Sequence, residues 1–359
     1  MGINNLNTLL RKHCPDVYEE IHLSQYAYKK IAIDISLFLC KYKAICGDRW
    51  VTAFFNLVSC LRRNEIHCVF IYDTGSPPEK AEEKAERVKQ REKNEKRVYD
   101  LEIALEYYYN TGEINDLLLE FSEKNKIGEF TQKRLLSVKN SNELVDVDII
   151  KTKIEKMRSQ ILNISKEDFD LTRELFTILN IPFYDAPLEA ETTCADLCKR
   201  GLVDAVLSED TDVLAYSTPI FLTKIDTALD TCVRLTHSDI LESLELNQEE
   251  FLDLCIMCGC DYNKNIPKIG CETSLKYISQ YKSIDEIGLK TNLDIKILNH
   301  IRTRELFLEY KKIDLTTIPF CGVPDFEKLE EFILRNKISI NLETLKKNFT
   351  HVIIVMEDI

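Results

Sequence analysis

Short apolar runs alternate with amphipathic stretches along this chain, and several of the apolar runs stop at an acid. Lys29-Lys-Ile-Ala-Ile-Asp34 predicts a buried strand closing on Asp34, and Ile66-His-Cys-Val-Phe-Ile-Tyr-Asp73 predicts another closing on Asp73. Asp204-Ala-Val-Leu207 and Ile220–Lys224 read as further strands, the first leading into Asp210 and Asp212. Runs without polar alternation belong to strands buried on both faces, as in parallel sheets. Apolar residues at helical spacing predict helices near Leu6–Lys12, Ser36–Ala44, Val51–Arg63, Glu249–Cys258 and Glu272–Gln280. Asp185-Ala186-Pro187 reads as a helix start with proline in the first turn. A polar, hairpin-like region runs to about Val233. Strands alternating with helices imply an α/β fold with a parallel sheet and right-handed crossovers.

Between the second and third acidic strand ends the pattern changes. Glu79 to Asn110 predicts one long charged helix in which Lys80, Lys84, Arg87 and Arg91 recur at three- and four-residue spacing. Taken as an isolated helix, it reads as a solvated face of Glu–Lys pairs. Thr111–Lys166 is polar and weakly periodic, an insertion between two halves of one sheet that is expected to be partly mobile. The expected division is therefore 1–95 and 167–290 for the core, 96–166 for the insertion and 291–359 for a helical C-terminal region.

Composition narrows the class. With 359 residues, 45% hydrophobic and 30% charged, the chain has the profile of a soluble globular protein with a sizeable core. No apolar run approaches the ~18 residues of a membrane span, and the N-terminal stretch lacks the order of a secretory signal. Thirteen cysteines, an odd number, read as free thiols in a reducing compartment. Cys255, Cys258, Cys260 and Cys271 raise a zinc reading, but no second CxxC or histidine pair completes a ligand set. They read instead as thiols buried around an apolar helix. The net charge of −13 weighs against nucleic acid. Acids gathered in a metal site would inflate that sum without repelling DNA once cations are bound.

The acids carry the chemistry. One strand-end aspartate is commonplace as a helix cap, and one acid near a helix start answers the helix dipole. Asp34, Asp73, the pair Asp210/Asp212, the pair Glu189/Glu191 and Asp261 together exceed that need, because strand ends converge in the crevice of an open α/β sheet. Seven carboxylates without clustered His or Cys are hard oxygen ligands, suited to Mg²⁺ or Mn²⁺. Two such ions about 3.5–4 Å apart serve phosphodiester hydrolysis. Unneutralised, so many acids would raise one another's pKa values. Gly259 suits the C-cap of the helix before Asp261, and the turn Ile266–Gly270 offers free N–H groups at a helix start, suited to phosphate.

These residues resemble the flap endonuclease and xeroderma pigmentosum G (XPG) family of structure-specific 5′ nucleases. The resemblance rests on MGI-x-x-L at the N-terminus, Ala32-Ile-Asp34, Tyr72-Asp73 with Pro77-Pro78, Tyr184-Asp-Ala-Pro-x-Glu-Ala-Glu191, Ser208-Glu-Asp-x-Asp212 and Leu254-Cys-Ile-x-x-Gly-x-Asp-Tyr262. It implies a PIN-like core, a mostly parallel twisted sheet flanked by helices, with a helical arch and a helix-two-turn-helix DNA-binding element. It further implies that Asp34, Asp73, Glu189 and Glu191 hold a first Mg²⁺ and that Asp210, Asp212 and Asp261 hold a second, with Mn²⁺ able to substitute. Lys80 and Arg87 match the arch pair that steers the scissile phosphate, two helical turns apart on one face. DNA contact is implied at Glu189, Gly259, Asp261 and Gly270, with a monovalent cation at the helix-two-turn-helix.

Three departures stand out. Cys40 occupies the position where the family stacks an aromatic on a base, leaving Phe38 or Tyr42 as substitutes. Lys268 replaces the first glycine of the family's Gly-hydrophobic-Gly turn. No sliding-clamp motif is found. The expected function is Mg²⁺-dependent incision of 5′-flap or branched DNA in replication and repair, by a monomer in the nucleus or at a viral replication site. The alternatives are a 5′→3′ exonuclease, a bubble or junction nuclease, and a scaffold that binds branched DNA without cutting it.

Overall fold

The computed structural model describes residues 2–125, 147–159, 161 and 164–356. They divide into two compact units. The larger comprises Met1–Tyr42, Asp48–Ala81 and Ile164–Ile359, and the smaller Lys43–Gly47 and Glu82–Asn163.

The larger unit is built on one seven-stranded sheet. Its strands are β1 (Glu19–His22), β2 (Lys30–Asp34), β3 (His67–Tyr72), β4 (Phe183–Asp185), β5 (Ala205–Leu207), β6 (Ile220–Asp226) and β7 (Thr231–Thr236), in the order β1-β7-β6-β5-β2-β3-β4. From β6 to β4 all neighbours pair in parallel, with Ile33 opposite Leu207 and Asp34 opposite Ile71. Period-2 alternation sends Ala32, Val69, Ile71 and Val206 to one core and Ile31, Ile33, Phe70 and Leu207 to the other. Burial of both faces is the reason these strands read as continuous apolar runs.

β1 and β7 are antiparallel to their neighbours, so the mostly parallel sheet is mixed at one edge, and β6–β7 form the hairpin expected up to about Val233. β1 shows no apolar run because only one of its four residues, Ile21, is buried. The helix expected from Asp185-Ala-Pro187 begins later, as Ala190–Lys199, with Glu189 at its N-cap. The intervening residues are zipped to the β3 loop: Ala186 N–H donates to the Tyr72 carbonyl at 2.8 Å and Thr74 N–H to that of Leu188 at 2.9 Å.

Strand order sets the site. From β2 the chain moves outward through β3 to β4, then returns to β5 on the other flank of β2 and continues to β6. The switch point thus lies between β2 and β5, where an open α/β sheet leaves a crevice beyond its carboxyl ends.

The smaller unit carries the helices Asp116–Lys124 and Val147–Ser159 and most of the long helix Ala81–Thr111. Its own core includes Val98, Leu101, Leu118, Phe121, Ile150 and Ile154. The middle of the insertion for which the sequence predicts mobility, residues 126–146, lies outside the described residues.

Candidate metal centre

The carboxyl ends of β2, β3 and β5 deliver acids to the crevice in different states. Asp34 closes β2 and caps the helix Ile35–Cys46, its Oδ1 accepting the N–H groups of Ser36 at 2.8 Å and Leu37 at 3.4 Å. Asp73 follows β3. Its Oδ2 accepts the Ser36 hydroxyl and its Oδ1 accepts the Ala190 N–H at 2.7 Å, so it supplies the cap of a helix remote in sequence. That contact seats Glu189 and Glu191 at the positive end of the Ala190 helix. After β5 the chain turns so that Asp210 N–H donates to Ser208 Oγ and Asp212 N–H to Asp210 Oδ1, both at 3.1 Å.

Asp212 is fully buried, yet among the described residues neither carboxylate oxygen has a hydrogen-bond partner. Glu191 Oε1 is likewise buried without a hydrogen bond. One oxygen from each of Glu191, Asp210 and Asp212 lies within 4.8 Å of the others. Burial raises the pKa of Asp34, Glu191 and Asp212 well above the ordinary carboxylate value and also raises that of Asp210. Asp73 adds to the rise at Asp34 and Asp210 to that at Asp212, while Lys80 opposes it at Glu191. A buried carboxylate with no donor is costly and calls for a cation. An all-oxygen anionic set fits Mg²⁺ or Mn²⁺. Gly2 closes one side: it has φ +86°, and a Cβ there would stand 2.0 Å from Asp210 Oδ1. Only glycine fits so close to the acid.

Lys80 ends a 3-10 turn, Pro78–Lys80, and is only 8% exposed. Its Nζ lies 2.7 Å from Glu189 Oε1, 2.9 Å from Asp261 Oδ2 and 3.5 Å from Glu191 Oε1. Burial alone would lower its pKa, but the three carboxylates more than reverse this and raise it. Arg87 lies on the long helix of the smaller unit and pairs with Glu83. Lys80 precedes the helix, and its ammonium is drawn in among buried acids.

The structure therefore brings Asp34 and Asp73 together through Ser36, Glu191 together with Asp210 and Asp212, and Glu189, Glu191 and Asp261 together around Lys80. Sequence reasoning missed a further part. Tyr262 donates to Glu189 Oε2 at 2.6 Å, and the Tyr216 and Tyr262 hydroxyls share a 2.6 Å hydrogen bond. Tyr262 stands in the quoted Gly-x-Asp-Tyr motif, which was its one signal.

Neither proposed substitute for the missing aromatic offers a stacking face. Phe38 and Tyr42 are both buried, and Tyr42 meets Phe54 edge-on at 5.0 Å. Gly259 follows the helix Gln248–Cys258 at φ +90°, where a Cβ would meet Asn4 Nδ2 at 2.8 Å. Gly270 is the N-cap of the helix Cys271–Tyr281, and a Cβ there would meet nothing. Lys268 adopts φ +68°, the left-handed conformation that favours glycine.

Comparison with known proteins bears on the same crevice. The XPG N-terminal domain matches residues 1–94 and the XPG I-region residues 180–261. A probable RAD2-like endonuclease, 369L, of Invertebrate iridescent virus 6 is 30% identical, over 97% of this chain and 92% of its own. The chain belongs to the XPG and flap endonuclease family. Flap endonuclease 1 of Lodderomyces elongisporus is 27% identical, over 97% of this chain and 87% of its own. The catalytic core of Rad2 in complex with DNA substrate has the same fold, with a TM-score of 0.65, 17% identity and coverage of 98% of this chain and 100% of that one. The family comprises structure-specific nucleases acting on DNA, and this member is a DNA endonuclease. The buried acids at the switch point are its candidate catalytic centre.

Proposed function

We propose that this XPG-family nuclease incises 5′ flaps and related branched DNA during replication and repair, with two Mg²⁺ ions, or Mn²⁺ in their place, held by Asp34, Asp73, Glu189, Glu191, Asp210, Asp212 and Asp261. Asp212 carries this reading. A fully buried carboxylate without a donor, beside Glu191 and Asp210, has no structural purpose and suits an ion-binding one. The kinship to proteins named flap endonuclease 1 supports the choice of substrate.

When bound, the ions would activate water and stabilise the leaving oxygen of the phosphodiester. The protein's own work is orientation. Asp34 and Asp73 are aimed by helix-start N–H groups and by Ser36, and Glu189 is aimed by Tyr262. Lys80 and Arg87 are the candidates for steering the scissile phosphate. The turn from Gly259 to Gly270 would hold duplex backbone through free N–H groups at a helix start, with a monovalent cation beside it.

The test is cleavage of end-labelled 5′-flap, nicked, bubble and single-stranded DNA, with Mg²⁺ or chelator, beside Asp210→Ala. Incision near the flap junction, lost in chelator and in the variant, is the expected result. Release of terminal nucleotides would instead identify an exonuclease. Flap binding without cutting would leave a scaffold.

A further inference from the structure

We propose that Lys80 is a built-in cation of the carboxylate centre, one that contends with divalent ions for Glu189, Glu191 and Asp261 and so holds the centre's ion affinity below what its acids alone would give. This inference rests on the divalent-ion reading above and goes beyond it. It concerns the protein before DNA arrives, and assigns Lys80 a role toward the ions in addition to any toward phosphate.

Three observations carry it. Lys80 Nζ lies within 3.5 Å of oxygens from three of the seven acids, so an ion taken by Glu191 or Asp261 must share its ligands with an ammonium. Like charges so close in a buried site repel strongly. Second, Glu189 does not depend on Lys80 for its placement, because Tyr262, itself bonded to Tyr216, holds Oε2 while Lys80 takes Oε1. The carboxylate frame can exchange one cation for another without losing its shape. Third, the residue is lysine. A compact ammonium on a flexible four-carbon stem can move away from its acids, which the rigid fork of an arginine does less readily. Lysines are almost never buried unless paired, and this one is paired wholly with acids of the proposed centre.

Calorimetric titration of Mn²⁺ into the full chain without DNA tests the proposal, using wild type, Lys80→Met and Asp212→Asn. Lys80→Met should bind Mn²⁺ more tightly than wild type, because the ammonium that repels the ion is gone. In chelator it should melt below wild type, because Glu189, Glu191 and Asp261 have lost the ammonium they share, and Mn²⁺ should raise its melting temperature more than that of wild type. Lys80→Gln, which keeps a donor toward Glu189 but no charge, should also bind more tightly and guards against misfolding of the methionine variant. Unchanged or weaker binding in both folded variants would overturn the inference while leaving the metal reading intact. Absence of Mn²⁺ binding by wild type, or binding indifferent to Asp212→Asn, would instead overturn the metal reading itself.

Discussion

The two flanks of the crevice hold the same residue type in opposite conditions. At the ends of β2 and β3, Asp34 and Asp73 accept backbone N–H groups and share Ser36, so each also starts a helix. After β5, Asp212 is fully buried and accepts nothing from the described residues. A capping aspartate contributes to the fold whether or not it serves catalysis. A buried carboxylate without donors works against the fold and is explained by what it binds. Glu189 stands between these cases, with one oxygen held by Tyr262 and the other by Lys80. Position at a strand end is therefore weak evidence of function. Unmet hydrogen-bonding capacity is strong evidence.

The contrast is most exposed at Asp212. Asp212→Asn should retain flap binding while losing turnover by on the order of 10²–10³-fold, since metal-centre charge stabilisation is worth several kcal/mol. Single-turnover cleavage beside a binding isotherm measures both, and normal cleavage would remove Asp212 from the centre. Next in size, Tyr262→Phe should weaken Mn²⁺ binding and cleavage by about 10–100-fold, as loss of a group orienting a ligand does. Tyr216→Phe should cost less, because it reaches Glu189 only through Tyr262. If Tyr262→Phe changes melting temperature alone, Glu189 is not a ligand that needs aiming.

Smaller effects separate the flanks by stability. Asp73→Ala should destabilise the protein in chelator by about 0.5–2 kcal/mol through loss of the Ala190 cap, whereas Asp212→Asn should stabilise it. Equal signs in denaturant titrations would erase the distinction. The Asp212 effect also carries a pH dependence. Burial raises its folded pKa above the ordinary 3.8, so the stability of the acid form is full below that value and is lost as pH rises through the folded pKa. In chelator, melting curves from about pH 4 to about pH 8 should show Asp212→Asn gaining on wild type as pH rises, and Mg²⁺ should reverse the order. A gap that narrowed with rising pH would contradict a buried, unpartnered acid.

Much of this was legible along the chain because local pattern decides it. Ile31, Ile33, Val69, Phe70 and Val206 are apolar without alternation since both faces of their strands are covered, and the acids that end those runs mark the crevice. β1 leaves no apolar pattern in the sequence because only Ile21 is buried. The start of the Ala190 helix is not legible in its own residues because its cap comes from Asp73, more than a hundred residues away. Phe38 and Tyr42 look available beside Cys40, but packing of their helix turns both into the core.

The sequence by itself determined the parallel core, the seven acids and the family, because burial on two faces and the spacing of acids after strands are written in consecutive residues. Tertiary structure alone decided which acids are satisfied, where the Lys80 ammonium goes and that Tyr216 and Tyr262 support Glu189. Those outcomes depend on desolvation and on hydrogen bonds between distant segments, and both exist only once the strands are side by side.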